Sequence, residues 1–236
     1  MTCKAKETIA MNGFVATIKR TRRKGSVGFR LSSGLLVVLA PSAISIAELR
    51  LLLESKSAWI LAKLEARDQV TSQVKRYYRS GEPFAFLDQE LVLKVCQGAF
   101  GARLNSAAEL VVSMPEAKPD WVRNALVRWY KLQAQVHIEQ RVSYFSPLVG
   151  AWPKSIEIKT YRARWGSCNS SGELQFNWKI IMAPTAVVDS VVVHELCHLL
   201  HMHHGPDFWA QVKRVLPNYK DAKQWLKDEG HSLGLD

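Results

Sequence analysis

The segment Val191-Val192-Val193-His194-Glu195-Leu196-Cys197-His198-Leu199-Leu200-His201-Met202-His203-His204-Gly205-Pro206 places five histidines within eleven residues, with a glutamate directly after the first of them. In a helix, residues four apart lie one above the other on the same face. His194 and His198 then present two imidazoles to one point, and Glu195 sits on the adjacent edge. That spacing suits Zn2+, which takes neutral imidazole nitrogen at ~2.0–2.1 Å and leaves a water for a neighbouring carboxylate to deprotonate. The flanking Val191, Val192, Val193, Leu196, Leu199 and Leu200 are apolar. Polar groups buried in such company need partners, because each unpaired one costs roughly 1–3 kcal/mol. The valine run has poor helix propensity, and a strand would hold His194 and His198 too far apart to share an ion. The reading therefore depends on a helix, expected from Thr185 to His203.

A third ligand has to come from His201, His203 or His204, or from farther away. His201 shares the helix face, but three ligands spread over ~10 Å of rise along one straight helix converge poorly on a tetrahedral ion. His204 adjoins Gly205-Pro206, where the helix breaks and the chain can bend back. Its spacing from His198 matches the third histidine of the pattern HExxHxxGxxH, although the glycine of that pattern is replaced by His201. His204 is preferred, with His201 and His203 as local alternatives.

The rest of the chain sets the frame. At 236 residues, 47% hydrophobic and 22% charged, it has the composition of a globular protein with a sizeable core. No apolar run approaches the ~18 residues a membrane span needs, and Met1 to Asn12 lacks a secretory layout, so no membrane partner and a cytoplasmic location are expected. Cys3, Cys96, Cys168 and Cys197 are irregularly spaced, form no CxxC pair and read as reduced thiols, the last two as small buried apolar residues. The net charge of +11 favours anionic partners, nucleic acid and nucleotides among them. Its densest run, Lys19 to Lys24, reads as a solvated strand end or hairpin.

The fold class expected is α+β, in two regions with a boundary between residues 115 and 116. In the first, short β-like bursts at Phe14–Ile18, Val27–Leu31 and Leu35–Leu39 suggest an antiparallel meander. A capping box at Ser45 and Glu48 opens one helix to about Ala66. Residues 68–82 read as a linker. Strands follow at Phe84–Leu87, Glu90–Val95 and Leu110–Met114, with a loop over Gly98–Asn105. In the second region a helix spans Asp120 to about Phe145, burying Val122, Leu126, Trp129, Leu132 and Val136. The chain turns through Pro147 and Gly150. Strands follow around Ile156, Trp165–Cys168 and Leu174–Trp178, then the histidine helix and two short helices near Asp207–Leu216 and Lys220–Ser232. No internal repeat is visible.

Arg164-Trp165-Gly166-Ser167-Cys168, Gly172 through Trp178, Ala183-Pro184, Val191 through His198, His204 and Phe208-Trp209 together resemble the YgjP-like metal-dependent hydrolases, a family similar to the SprT and WLM zinc metalloprotease domains. The resemblance is strongest over 154–216. It implies a zincin-like C-terminal domain with an HExxH active-site helix, His194, His198 and His204 as ligands of one zinc ion, and Glu195 as general base. The chain departs from the family pattern at His203, where Asn is common, and at Gly205, where Ser is common.

The chemistry expected is hydrolysis, with Glu195 accepting a proton from water and passing it to the leaving group. An oxyanion needs a further donor. Arg162, Arg164, Asn177 and His203 are candidates for this or for substrate binding, as is Tyr161, although Arg164 and Trp165 equally suit packing of strand on helix. Either Arg162–Cys168 or Glu173–Trp178 could bind an extended peptide as an added strand. Peptide-bond hydrolysis is implied by the resemblance. The positive charge and arginines would also suit a nucleoside triphosphate pyrophosphatase. A nucleic-acid-binding module with a structural zinc is a third reading, against which Glu195 argues, since a closed site has no use for a base.

Overall fold

The computed structural model describes residues 7–22, 25–32, 35–62, 64 and 76–235. It divides into two compact units, 1–75 and 76–236. The first contains β1 (Glu7–Met11), β2 (Phe14–Thr21), β3 (Gly28–Ser32), β4 (Leu35–Pro41) and α1 (Ile46–Ser55). The strands form one sheet in the order β1-β2-β4-β3. Because β2 and β4 pair in parallel, the sheet is mixed and not the antiparallel meander expected. Alternation shows which side chains share a face but not which strand lies alongside. Here it buries Phe14, Ala16 and Ile18 on β2 and Leu36, Val38 and Ala40 on β4, together with Leu49, Leu53 and Ile60. Ser45 and Glu48 form the expected capping box. The backbone is again helical at 57–62, and the expected end near Ala66 lies outside the described residues. Arg20 is not a solvated member of its basic run: its guanidinium bonds the Glu7 carboxylate at 2.9 and 3.0 Å and the Pro41 carbonyl at 3.2 Å. Arg23 and Lys24 lie outside the described residues.

The second unit opens with β5 (Pro83–Phe86), β6 (Gln89–Gln97), β7 (Gly101–Leu104) and β8 (Glu109–Met114), followed by α2 (Pro119–Val149). Of the linker expected over 68–82, residues 68–75 lie outside the described residues and 76–79 carry no regular structure. The expected loop Gly98–Asn105 contains β7, an exposed edge strand whose weak apolar alternation hides it. The sheet order is β5-β6-β8-β7, with a parallel β6–β8 pair between two antiparallel ones. This repeats the topology of the first sheet, four strands and then a helix, with no matching sequence repeat.

The expected boundary at 115/116 falls inside this unit. Phe84, Leu91, Leu93, Leu110 and Val112 share one buried cluster with Leu126 and Tyr130 of α2 and with residues as distant as Leu196 and Phe208. The α2 helix runs four residues past the expected Phe145. Pro147 falls in its last turn and Gly150, at φ 83°, ends it. Leu132 and Val136, expected inside, are exposed at 61% and 47%. The buried line passes instead through Tyr130, Ala134, Ile138 and Val142, one position round the helix.

Next come β9 (Ser155–Lys159), β10 (Gly166–Cys168) and β11 (Glu173–Asn177), in the order β10-β11-β9. A 3-10 turn at Trp178–Met182 leads into α3 (Thr185–Cys197), and α4 (Pro206–Val215) and α5 (Tyr219–Asp228) close the chain. Among the described residues no helix is long and apolar enough to cross a membrane. Val191, Val192 and Val193 are helical after all. The helix is buried on nearly all sides, where burial of branched side chains outweighs a propensity cost of tenths of a kcal/mol each.

Two polar anchors fix α3. Its N-terminus has no local side-chain cap; Asp88, in the turn between β5 and β6, accepts the Thr185 N–H at 3.2 Å and also bonds the Thr185 hydroxyl. Midway, Asp189 accepts two bonds from Arg141 of α2, at 2.6 and 2.8 Å. His137 lies near these groups, and its Nε2 is buried without a hydrogen-bond partner among the described residues. Burial first, then the Arg141 guanidinium, hold its imidazole below the ordinary value, against the opposing pull of Asp189 and Asp88.

Replacing Asp88 with Ala should cost about 1 kcal/mol, as loss of a helix cap does, and lower the thermal midpoint by roughly 2–4 °C. The neutral form of His137 is the one the fold accommodates. Its contribution to stability is therefore complete above the unfolded value near 6.5 and lost as pH falls through the lower folded value. Midpoints measured at pH 7.5 and 5.5 should accordingly fall further for the wild type than for His137→Leu; equal falls would refute this role.

Candidate metal centre

The α3 helix positions the first two histidines. His194 lies in its last turn, and His198 is the C-terminal cap residue, still in right-handed helical conformation. The helix stops there, well short of the expected His203. The chain then tightens through bonds from the Leu199, Leu200 and His201 amides to carbonyls three or four residues back. It reverses through 201–205, and Gly205-Pro206 starts α4. The reversal carries His204 back to the helix end. Its Nε2 lies 3.0 Å from the Nε2 of His194. One ring nitrogen from each of His194, His198 and His204 falls within 4.8 Å of the other two. His201 and His203 do not join them.

The donor set fits a metal ion. His198 Nδ1 lies 3.1 Å from the His201 carbonyl, which fixes the proton on Nδ1 and leaves Nε2 with its lone pair. Burial first, then the neighbouring His198, His204 and Lys223, push His194 down to about 3, so its imidazole is neutral and able to ligate. Two facing nitrogens at 3.0 Å have either one shared proton or a common cation to hold them. Three converging imidazoles favour the cation.

Beneath the triad lies Phe208, fully buried, with its ring centroid 4.6 to 4.9 Å from those of all three histidines. Glu195 is also buried, at 5% exposure. Burial pushes its carboxyl up to about 8, and Arg164 opposes that rise. The carboxylate lies against Gly166 of β10. A Cβ there would stand 2.6 Å from both Glu195 Cγ and Oε1. Gly166 thus allows the strand to approach the acid closely.

The other candidates separate. Arg164 is exposed, stacks over the Tyr161 ring and acts on Glu195 electrostatically. Arg162 is exposed and forms no hydrogen bond or ion pair with described residues. Asn177, expected as a donor to substrate, is a structural clip: its Nδ2 donates to the carbonyls of Tyr161 and Arg164 at 3.1 and 3.2 Å. Both amide hydrogens are therefore engaged in holding the 161–165 segment. Tyr161 directs its hydroxyl to Gln175. His203 is exposed beside the triad. Cys197 is buried as expected, whereas Cys168 is only half-buried; burial, and then the nearby Glu195, push its thiol up. Gly166, Phe208 and Trp209 belong to the stretches that carry the family resemblance, but their place in the site is visible only in the fold. Only the glycine carried a local signal, a missing side chain in a strand.

This is a mixed α+β protein with three converging histidines beside a buried glutamate, the equipment of a metal-dependent hydrolase. The family described as YgjP-like, metallopeptidase domain, matches residues 26–229, and the chain belongs to that family. No curated protein matches the chain significantly. Among solved structures it is similar to the metallopeptidase zymogen of Pyrococcus abyssi abylysin, at 15% identity and a TM-score of 0.38, over 42% of this chain and 99% of that one.

Gly166→Ala should displace Glu195 or push β10 from α3. An overpacking cost of roughly 1–3 kcal/mol is expected. Denaturant unfolding of Gly166→Ala alone and combined with Glu195→Ala tests this, because the shorter side chain should restore most of the loss.

Proposed function

We propose that the protein is a zinc-dependent metallopeptidase, with His194, His198 and His204 as the metal ligands and Glu195 as the general base. The observation that carries this reading is the convergence of three imidazole nitrogens beside a buried carboxylate. Zinc, when bound, supplies Lewis acidity and lowers the pKa of water toward neutrality. Glu195 takes the proton from the attacking water and returns it to the leaving amine. A carboxyl raised by burial suits a group that has to accept a proton and then release it. Arg164, close enough to act on Glu195, is the favoured donor to the developing negative charge.

A peptide substrate is favoured by β10. Among the described residues this strand pairs on one side only, with β11, and it packs on α3. Ser167 faces Gln175 in the ladder, and the flanking bonds from Asn177 N–H to Trp165 O and from Asn169 N–H to Glu173 O fix its phase. The main-chain groups of Gly166 and Cys168 therefore point away from β11, to the open edge. An extended peptide can pair there, next to Glu195. The nucleotide alternative relied on arginines at the metal, and of Arg162 and Arg164 only the second approaches Glu195. Along the sequence the excess of positive charge is concentrated in residues 1–75, which hold 13 of the 32 basic and 5 of the 21 acidic residues, net +8 of the +11.

Purified protein should carry about one equivalent of zinc, and His194→Ala should lose it. Glu195→Gln should keep the metal and lose roughly 100-fold or more of its cleavage of an unfolded protein. Nucleoside triphosphate hydrolysis that depends on Glu195, without protein cleavage, would transfer the site to the other substrate class.

A further inference from the structure

Two of the three imidazoles have an evident means of holding their orientation. His194 is part of a helix turn and largely buried, and His198 is tied through Nδ1 to the His201 carbonyl. His204 has neither advantage. It lies in an exposed reversal of the chain, and its Nδ1 has no hydrogen-bond partner among the described residues. What touches it is aromatic. The Phe208 ring meets it edge-on at 4.8 Å and 84°. Trp209 lies nearly parallel to it, with centroids 5.7 Å apart and planes at 24°. Trp209 in turn stacks on Tyr219 of α5 at 5.4 Å and 18°, and Lys223, one turn further along α5, places its Nζ 4.7 Å from the centre of the indole. Because His204 and Tyr219 make no ring contact with each other, Trp209 is the middle ring of a three-ring stack.

We propose that Trp209 is a positioning residue for the metal site, fixing the ring plane of His204 by stacking where a hydrogen bond would ordinarily do so. This rests on the assignment of His204 as a ligand. An imidazole on a reversing loop can rotate about its side-chain bonds, and each rotation moves the lone pair off the point it shares with His194. A histidine ligand is normally held by a bond from its second ring nitrogen, and loss of that partner weakens metal binding 10- to 100-fold. The indole face supplies an alternative constraint, because offset stacking has a preferred separation and tilt. Tyr219 and Lys223 hold the indole from α5, so the orientation of the third ligand depends on the packing of α5 against α4. Phe208 does not single out the third ligand, since it touches all three rings alike, whereas Trp209 lies nearly parallel to His204 and meets only one other ligand ring, that of His194, at a steep 57° and 5.9 Å.

Zinc affinity measured by competition with a chromogenic chelator tests the proposal without reference to turnover. Trp209→Leu should weaken zinc binding 10- to 100-fold, and Trp209→Phe, which keeps a ring in the stack, should recover to within about threefold of wild type. In a His204→Ala background, Trp209→Leu should produce no further loss, because the two act as one unit. Unchanged affinity in Trp209→Leu, or an equal loss with and without His204, would overturn the positioning role. If Trp209→Leu fails to fold, Tyr219→Leu, which strips the outer ring, carries the same cycle with an expected loss of about threefold, and no loss there overturns the proposal. Equal zinc affinity of wild type and His204→Ala would instead overturn the ligand assignment beneath it. Zinc loss in His204→Ala together with unchanged binding in Trp209→Leu would leave that assignment intact and remove only the role of Trp209.

Discussion

Neutral imidazoles aimed at a common point repel one another through their lone pairs unless a proton or a cation lies between them, and the second unit is arranged to hold three in that posture. Two come from one helix, whose four-residue spacing brings them together at no further cost. The third arrives by a reversal of the chain over Phe208. The helix itself is fixed at three heights: by Asp88 at its N-terminus, by Arg141 in its middle and by the His201 carbonyl at the cap residue. The sheet β5–β8 and the long α2 thus frame the histidines, although neither contributes a side chain to the triad.

The histidine pair and Glu195 were legible because helical spacing alone brings them to one face. His204 was legible in part, through the break at Gly205-Pro206, but only the traced reversal separates it from His201 and His203. The bonds of Asn177 were not legible in the sequence, for a physical reason. A polar side chain at a strand end offers the same two hydrogens whether it serves a substrate or its own loop, and only the positions of the Tyr161 and Arg164 carbonyls decide. The same holds for Asp88, whose carboxylate caps a helix that begins 97 residues later. A cap that is distant in sequence leaves no local signature.

Topology was the least legible feature. The two sheets follow one plan, with two antiparallel pairs flanking a parallel one, yet their strands share no evident sequence. Leu36, Val38 and Ala40 in one and Leu110, Val112 and Met114 in the other occupy equivalent buried positions on the last strand. Any alternating apolar pattern satisfies that requirement, so the plan can recur without residue identity. The sequence boundary at 115/116 erred for a related reason, since the change from strands to helices there is a change of element and not of core.

The long-range cap on α3 also governs when the site can exist. A helix that borrows its N-terminal acceptor from Asp88 cannot be completed by local nucleation, and the loop between them has to close first. The hydroxyl of Tyr78 bonds the carbonyl of Leu235, 157 residues away, so the two ends of the unit are joined to each other as well. Contacts of this span form slowly and late. During synthesis, His194 and His198 would leave the ribosome before His204, Trp209 and Tyr219. A chain bearing the first two alone offers an ion only two of its three protein ligands. The hydrolytic centre would therefore assemble only after nearly all of the unit has emerged, which delays any cleavage until the chain is folded.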